Sequence, residues 1–266
     1  MPQVESDGLT FNYDAQGAGD PLLLIPYLGI DHACYAFQLP AYTEHFTCVS
    51  VDLPGVGESS KPPGPYTTQG YADQVAGFMA AAGIERAHVA GVSLGAAVAM
   101  QLAARHPERV RSLSLHSAWH ATDAYLTTVL EGWRTLARSL PTVADAVVMG
   151  IFPYCFMPEM YAQRPEFVDT LTQFVHSRPA QPLDAFLAQS DAVLGHDASA
   201  ALGDIRAPTQ ITFGAHDLVT STRFAGPLRA GITNSEVVVF DHLSHGALHE
   251  DPEAFNGATL EFLSRH

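Results

Sequence analysis

Short apolar runs and longer amphipathic stretches alternate along residues 1 to 118. Phe46 to Val51 (Phe-Thr-Cys-Val-Ser-Val) has the length and apolar character of a buried strand and ends in the breaker Asp52-Leu53-Pro54-Gly55. Leu22 to Ile25, Ala87 to Val92 and Val110 to Leu115 look similar, and a helix is expected over Leu94 to His106 between the last two. Strands alternating with helices of about ten to fifteen residues predict βαβ units and a mainly parallel sheet, an α/β fold. Two more strands follow at Thr209 to Phe213 and Glu236 to Phe240. A closing amphipathic helix from about Asp251 aligns Phe255, Ala258, Phe262 and Leu263, with Thr259 as the polar member of that face.

Between Trp119 and about Leu202 the strand signal disappears. The stretch is helix-like, broken at Pro141, Pro153, Pro158, Pro165, Pro179 and Pro182, and rich in large apolar side chains. Helices inserted between two sheet strands predict a cap over the carboxyl ends of the strands. The expected organisation is a core of residues 1–118 and 203–266 with a helical cap of 119–202. No internal repeat or low-complexity tract interrupts it.

Composition narrows the partners. The chain has 266 residues, 28 acidic against 13 basic side chains and a formal charge of −15. Apolar residues reach 47% and charged ones only 15%, against about 25% in typical soluble domains. One domain of this size buries a full core without staples. A field this negative argues against nucleic acid and against anionic membrane surfaces. Three widely spaced cysteines, Cys34, Cys48 and Cys155, imply neither a disulfide framework nor a zinc site. The start, Met-Pro-Gln-Val-Glu-Ser-Asp, lacks the basic and apolar regions of a signal peptide, and Pro21 to Ile30 is too short to span a bilayer. A cytoplasmic location is the expectation.

The chemistry starts at Gly91-Val92-Ser93-Leu94-Gly95, where a predicted strand meets a predicted helix. Presenting a serine hydroxyl on a sharp strand-to-helix turn forces a strained backbone on Ser93, and the positions two before and two after approach too closely for large side chains. The helix also points its positive end toward an incoming oxyanion. A hydroxyl needs a base, itself oriented by a carboxylate, and on such a sheet the order is Ser, acid, His. Gly214-Ala215-His216-Asp217 follows one late strand, and Asp241-His242-Leu243-Ser244-His245-Gly246 follows the next. Ser93, Asp217 and His245 are therefore the expected nucleophile, acid and base.

Asp123 is the runner-up acid and His216 a lesser rival base. His116 and His120 sit where they line the pocket or the cap junction. His242, His245 and His249 are spaced like metal ligands but lack an accompanying carboxylate pattern, so no metal and no cofactor is expected. Leu94, after the nucleophile, and Leu28, in Pro26-Tyr27-Leu28-Gly29, are the expected backbone donors to an oxyanion. Tyr27, Trp119, Trp133, Met149, Phe152, Phe156 and Met157 are the candidate substrate-binding residues, with about half of the cap's apolar set assigned to core. Arg134, Arg138, Arg164 and Arg178 are spaced as on exposed helix faces, which favours a neutral substrate.

Taken together, Leu22–Gly29, Asp52-Leu53-Pro54-Gly55-Val56-Gly57-Glu58-Ser59, the Ser93 turn, Ile205–Thr209, Gly214–Asp217, and Ser244-His245-Gly246 with Pro252 and Phe255 resemble the α/β-hydrolase superfamily over essentially the full length. The resemblance implies a mostly parallel eight-stranded sheet flanked by helices, a helical cap, the Ser93–Asp217–His245 triad and cofactor-free hydrolysis. Within the superfamily the chain is most similar to 3-oxoadipate enol-lactonases, small carboxylesterases and acyl-homoserine-lactone hydrolases. It departs in carrying Pro26-Tyr27 where many relatives carry His-Gly, which places a phenol near the pocket, and in Val92 where histidine is frequent. Serine at the nucleophile position disfavours the dehalogenase and epoxide-hydrolase branches. The expected activity is hydrolysis of small-molecule esters or lactones with short to medium apolar acyl groups. The alternatives are a slow or non-catalytic receptor for a lactone-like ligand, an enol-lactonase, and carbon–carbon hydrolysis or perhydrolysis.

Overall fold

In the computed structural model, which describes Met1–His266, eight strands form one sheet. In chain order they are β1 (Gln3–Ser6), β2 (Leu9–Gln16), β3 (Asp20–Ile25), β4 (Phe46–Val51), β5 (Ala87–Val92), β6 (Val110–His116), β7 (Thr209–Gly214) and β8 (Ser235–Phe240). The spatial order is β1-β2-β4-β3-β5-β6-β7-β8. β1 and β2 pair antiparallel, as do β2 and β4, and every later pair is parallel. The inner parallel strands β3 to β7 are sandwiched between helices, so their apolar runs are buried on both faces, while the edge strand β8 stays partly exposed. Leu22, Leu23, Leu24 and Ile25 are all fully buried.

The six strands read from the sequence lie within a residue or two of their positions in the sheet. The N-terminal hairpin was not read. Its turn is Asp7-Gly8, both at positive φ (48° and 76°), the Asp-Gly signature of a tight two-residue hairpin.

The insertion between β6 and β7 is built of helices and contains no strand. Its main helices are Ala124–Ser139, Pro165–Ser177 and Leu183–Leu194. The prolines act as start signals: Pro158 and Pro165 open helices, and Pro182 precedes another. A π-helical turn at Val147–Ile151 lies between the first two long helices. The two ends of the insertion meet in a narrow neck. Ala121 bridges Asp197, Thr122 N–H donates to His196 O (2.9 Å) and Ala198 N–H to His120 O (2.7 Å). No helix is long and apolar enough to cross a membrane.

Candidate active site

Ser93 sits between β5 and the helix Leu94–Arg105 with φ 53° and ψ −119°, a conformation L residues rarely adopt. Glycine makes the turn possible. A Cβ on Gly91 would overlap the Gly95 carbonyl, and one on Gly95 would overlap the Ile25 carbonyl of β3. The Ser93 N–H donates to His116 O at 2.9 Å, tying the turn to β6.

His245, on the loop after β8, places Nε2 3.1 Å from Ser93 Oγ and Nδ1 2.9 Å from Asp217 Oδ2. Asp217 lies three residues beyond β7 and is buried. Its Oδ1 accepts from the Val219 and Thr220 N–H groups at 2.7 and 2.9 Å. Burial alone would raise this carboxyl, but the charge and hydrogen bond of His245 and the two N–H donors hold it below the usual carboxylate range.

Two residues that sequence reasoning did not single out support this chain. Ser117, at φ 51°, donates its hydroxyl to His245 O (3.1 Å), and Thr220 donates its own to Ser117 O (2.7 Å). Ser117 directly follows β6, a strand end where such a role was open to prediction.

The Leu28 N–H has no acceptor within the protein. Leu94, as the first residue of its helix, has no intrahelical acceptor for its own N–H. Leu94 directly follows Ser93, and Leu28 lines the cavity into which Ser93 opens.

That cavity is lined by 20 residues, 15 of them hydrophobic and none of them Asp, Glu, Lys or Arg. It takes in Tyr27, Trp119, Trp133, Phe152 and Phe156 from the candidate substrate-binding set. Met149 does not belong there. It is 63% exposed, because Trp133 and Phe152 occupy the inner face of that part of the cap and Met149 falls on the outer one. The Met157 side chain is also outside the cavity; its N–H instead binds the Glu250 carboxylate at 2.7 Å.

The competing candidates are engaged elsewhere. Asp123 caps the helix Ala124–Ser139 and pairs with Arg223 at 2.8 Å. His216 is exposed. His116 is buried against Phe255 and bonded to Thr212, and burial lowers it to about 3. His120 packs on Phe224. His242, His245 and His249 do not converge: His242 pairs with Asp251 at 3.1 Å and His249 with Tyr27 at 3.0 Å. A tighter cluster, Asp31, His32 and Asp52, is instead saturated by its own hydrogen bonds and by Arg178. The cap arginines are less free than their spacing suggests. Arg134 pairs with Asp191 at 2.6 Å and Arg178 with buried Asp31 at 2.8 Å.

The cap is fastened to the loop after β8 on both sides of His245. Gly246 N–H donates to Cys155 O at 2.7 Å. Glu250 accepts from Ser244 N–H at 2.6 Å with one oxygen and from Met157 N–H with the other. Burial raises the Glu250 carboxyl.

The sequence profile described as the alpha/beta hydrolase fold matches residues 20–252. A protein named as a candidate carbamate hydrolase, RutD of Azorhizobium caulinodans, is 28% identical, with 98% of each chain covered. The enol-lactonase from Burkholderia xenovorans LB400 superposes with a TM-score of 0.89 at 25% identity, covering 99% of this chain and 100% of that one. Est816, described as an N-acyl homoserine lactone degrading enzyme, superposes with a TM-score of 0.82 at 25% identity, covering 98% and 100%.

Proposed function

The chain belongs to the α/β-hydrolase family, and from that premise we propose that it is a serine hydrolase of uncharged carboxylic esters or lactones with short to medium apolar acyl groups. One observation carries the reading: the hydrogen-bonded series Ser93–His245–Asp217 opens into a cavity without a charged side chain. His245 Nε2 takes the Ser93 proton as the oxygen attacks the carbonyl carbon. The oxyanion forms beside the Leu28 and Leu94 N–H groups, where one such donor is worth about 10²–10³ in turnover. His245 then protonates the leaving alcohol and activates the water that releases the acid. Asp217 keeps the Nδ1–H tautomer throughout.

An anionic enol-lactone acid has no counter-charge in this cavity, which disfavours that branch of the family. Similarity to named carbamate hydrolases supports a second reading, in which the same acyl transfer acts on a carbamate carbonyl. The missing cation then favours a neutral carbamate ester over a carbamate anion.

The test is a panel of p-nitrophenyl esters of rising chain length, an N-acyl homoserine lactone and a neutral carbamate ester, with Ser93→Ala as control. Turnover of at least one class, reduced by about 10³-fold or more in a folded Ser93→Ala protein, is expected. Failure on every member overturns the reading, and stabilisation by a lactone without turnover favours a receptor instead.

A further inference from the structure

Three polar groups of the cavity wall lie outside the triad and have unspent hydrogen-bonding capacity. The Thr220 hydroxyl is spent on Ser117 O, and the Trp119 indole N–H donates to Thr122. Trp133 Nε1 is buried and has no partner, although an indole nitrogen can only donate. The Tyr27 hydroxyl and His249 Nε2 lie 3.0 Å apart, and the other ring nitrogen of His249, Nδ1, is buried without a partner. The His249 ring is hemmed in edge-on by Tyr27, Phe37 and Phe156.

Counting protons shows what this pair can offer. Burial lowers His249 to about 4, so over the neutral range the ring carries one proton. Burial also holds the Tyr27 phenol well above its usual value, so it keeps its proton too. Two protons share one hydrogen bond. If the phenol donates to Nε2, the unused donor is Nδ1–H; if Nε2–H donates to the phenol oxygen, the unused donor is the phenol O–H. Either tautomer leaves one donor over, and Trp133 supplies another.

Buried donors are normally paired with protein or ordered water, so donors in a ligand cavity that no protein acceptor engages are free to bind an acceptor that arrives from outside. With no cation beside them, these donors suit a neutral oxygen rather than a carboxylate or phosphate. We infer that the Tyr27–His249 pair and the Trp133 indole form a specificity subsite for a second, uncharged carbonyl oxygen in the acyl part of the substrate, remote from the scissile bond. The inference rests on the ester or lactone reading above and narrows it to acyl groups bearing a ketone or amide. A purely aliphatic acyl chain leaves the donors unpaired.

The experiment compares acids matched in length. Binding of methyl 4-oxopentanoate and methyl 5-oxohexanoate to Ser93→Ala protein is measured against methyl pentanoate and methyl hexanoate. The kcat/KM of the wild type is measured on the p-nitrophenyl esters of the same four acids. At least one oxo compound is expected to exceed its alkyl counterpart by about 3–10-fold, the range of one net neutral hydrogen bond. Trp133→Phe and His249→Phe are each expected to reduce that ratio toward unity, and Tyr27→Phe, which removes a single oxygen, serves where either of them fails to fold. Equal binding and turnover of oxo and alkyl partners overturns the inference, as does an unchanged ratio in the variants. An oxo preference in binding with no hydrolysis by the wild type keeps the subsite and removes the ester reading; hydrolysis without preference does the reverse.

Discussion

The floor of the site and its roof are built on different principles. On the floor, direction matters. Asp217, His245, Ser117 and Thr220 hold one another through hydrogen bonds of 2.7–3.3 Å, carried by loops at the ends of neighbouring parallel strands. Glycine close approaches set those loops to within a methyl group: a Cβ on Gly214 would overlap the Ser244 and Leu243 carbonyls. In the roof, volume matters. Leu126, Leu130 and Trp133 come from one helix, Val147 and Ile151 from the π-helical turn, Phe152 and Phe156 from the next segment, and Val193 from a later helix. Directional bonds specify the chemistry and a packed apolar shell specifies the size, and the two meet only where the cap backbone is fastened beside His245.

The largest test of that division is on the floor. Asp217→Asn keeps the shape of the site but accommodates the wrong histidine tautomer, and kcat for the best ester is expected to fall by about 10⁴ with little change in melting temperature. Steady-state kinetics within tenfold of wild type would remove Asp217 from the mechanism.

A second test concerns stability. Four of the buried histidines are lowered mainly by burial: His88, His196 and His249 to about 4 and His116 to about 3. All four folded values lie below the unfolded value of about 6.5, so the unfolded chain takes up these protons first. Their contribution is therefore complete above about pH 6.5 and is lost as pH falls toward 4, by up to about 1.4 kcal/mol per pH unit for each proton. His32 and the exposed His176, raised by Asp52 and by Thr172 O with Asp145 respectively, offset part of this. Urea midpoints should be lower at pH 5 than at pH 7; equal midpoints would show that these rings are not neutral in the fold.

The smallest effect belongs to the outside of the roof. Met149→Ala is expected to change stability by less than about 0.5 kcal/mol and to leave the chain-length profile for p-nitrophenyl esters unaltered. A shifted profile would place that side chain against substrate after all.

This division also explains what the sequence made legible. Floor residues announce themselves because steric demand restricts the residue types: Gly91 and Gly95 around Ser93, Gly214 before Asp217, Gly246 after His245. Strand ends could be read from apolar runs, so the order Ser, acid, His fell into place. Roof residues carry no such mark. Met149 and Phe152 are both large and apolar, and only the packing of short, proline-punctuated helices decides that one faces water and the other the cavity. His249 was passed over because His245 already accounted for a histidine on that loop. Its role depends on Tyr27, 222 positions away in the chain. The β1–β2 hairpin was missed although Asp7-Gly8 marks its turn, because its strands alternate rather than form the continuous apolar runs of the buried sheet.

The narrow neck has a consequence for how such proteins diversify. Chain enters and leaves the cap through one bridge, Ala121 to Asp197, so recombination between homologues can exchange everything above it without touching a strand. The fastening around His245 limits which replacements work. An incoming cap must bring a carbonyl where Cys155 offers one and a free N–H where Met157 offers one, or the graft will leave the His245 loop unsupported. Main-chain atoms of the cap meet that requirement, so the backbone course of three residues is inherited even where the side chains that line the cavity change.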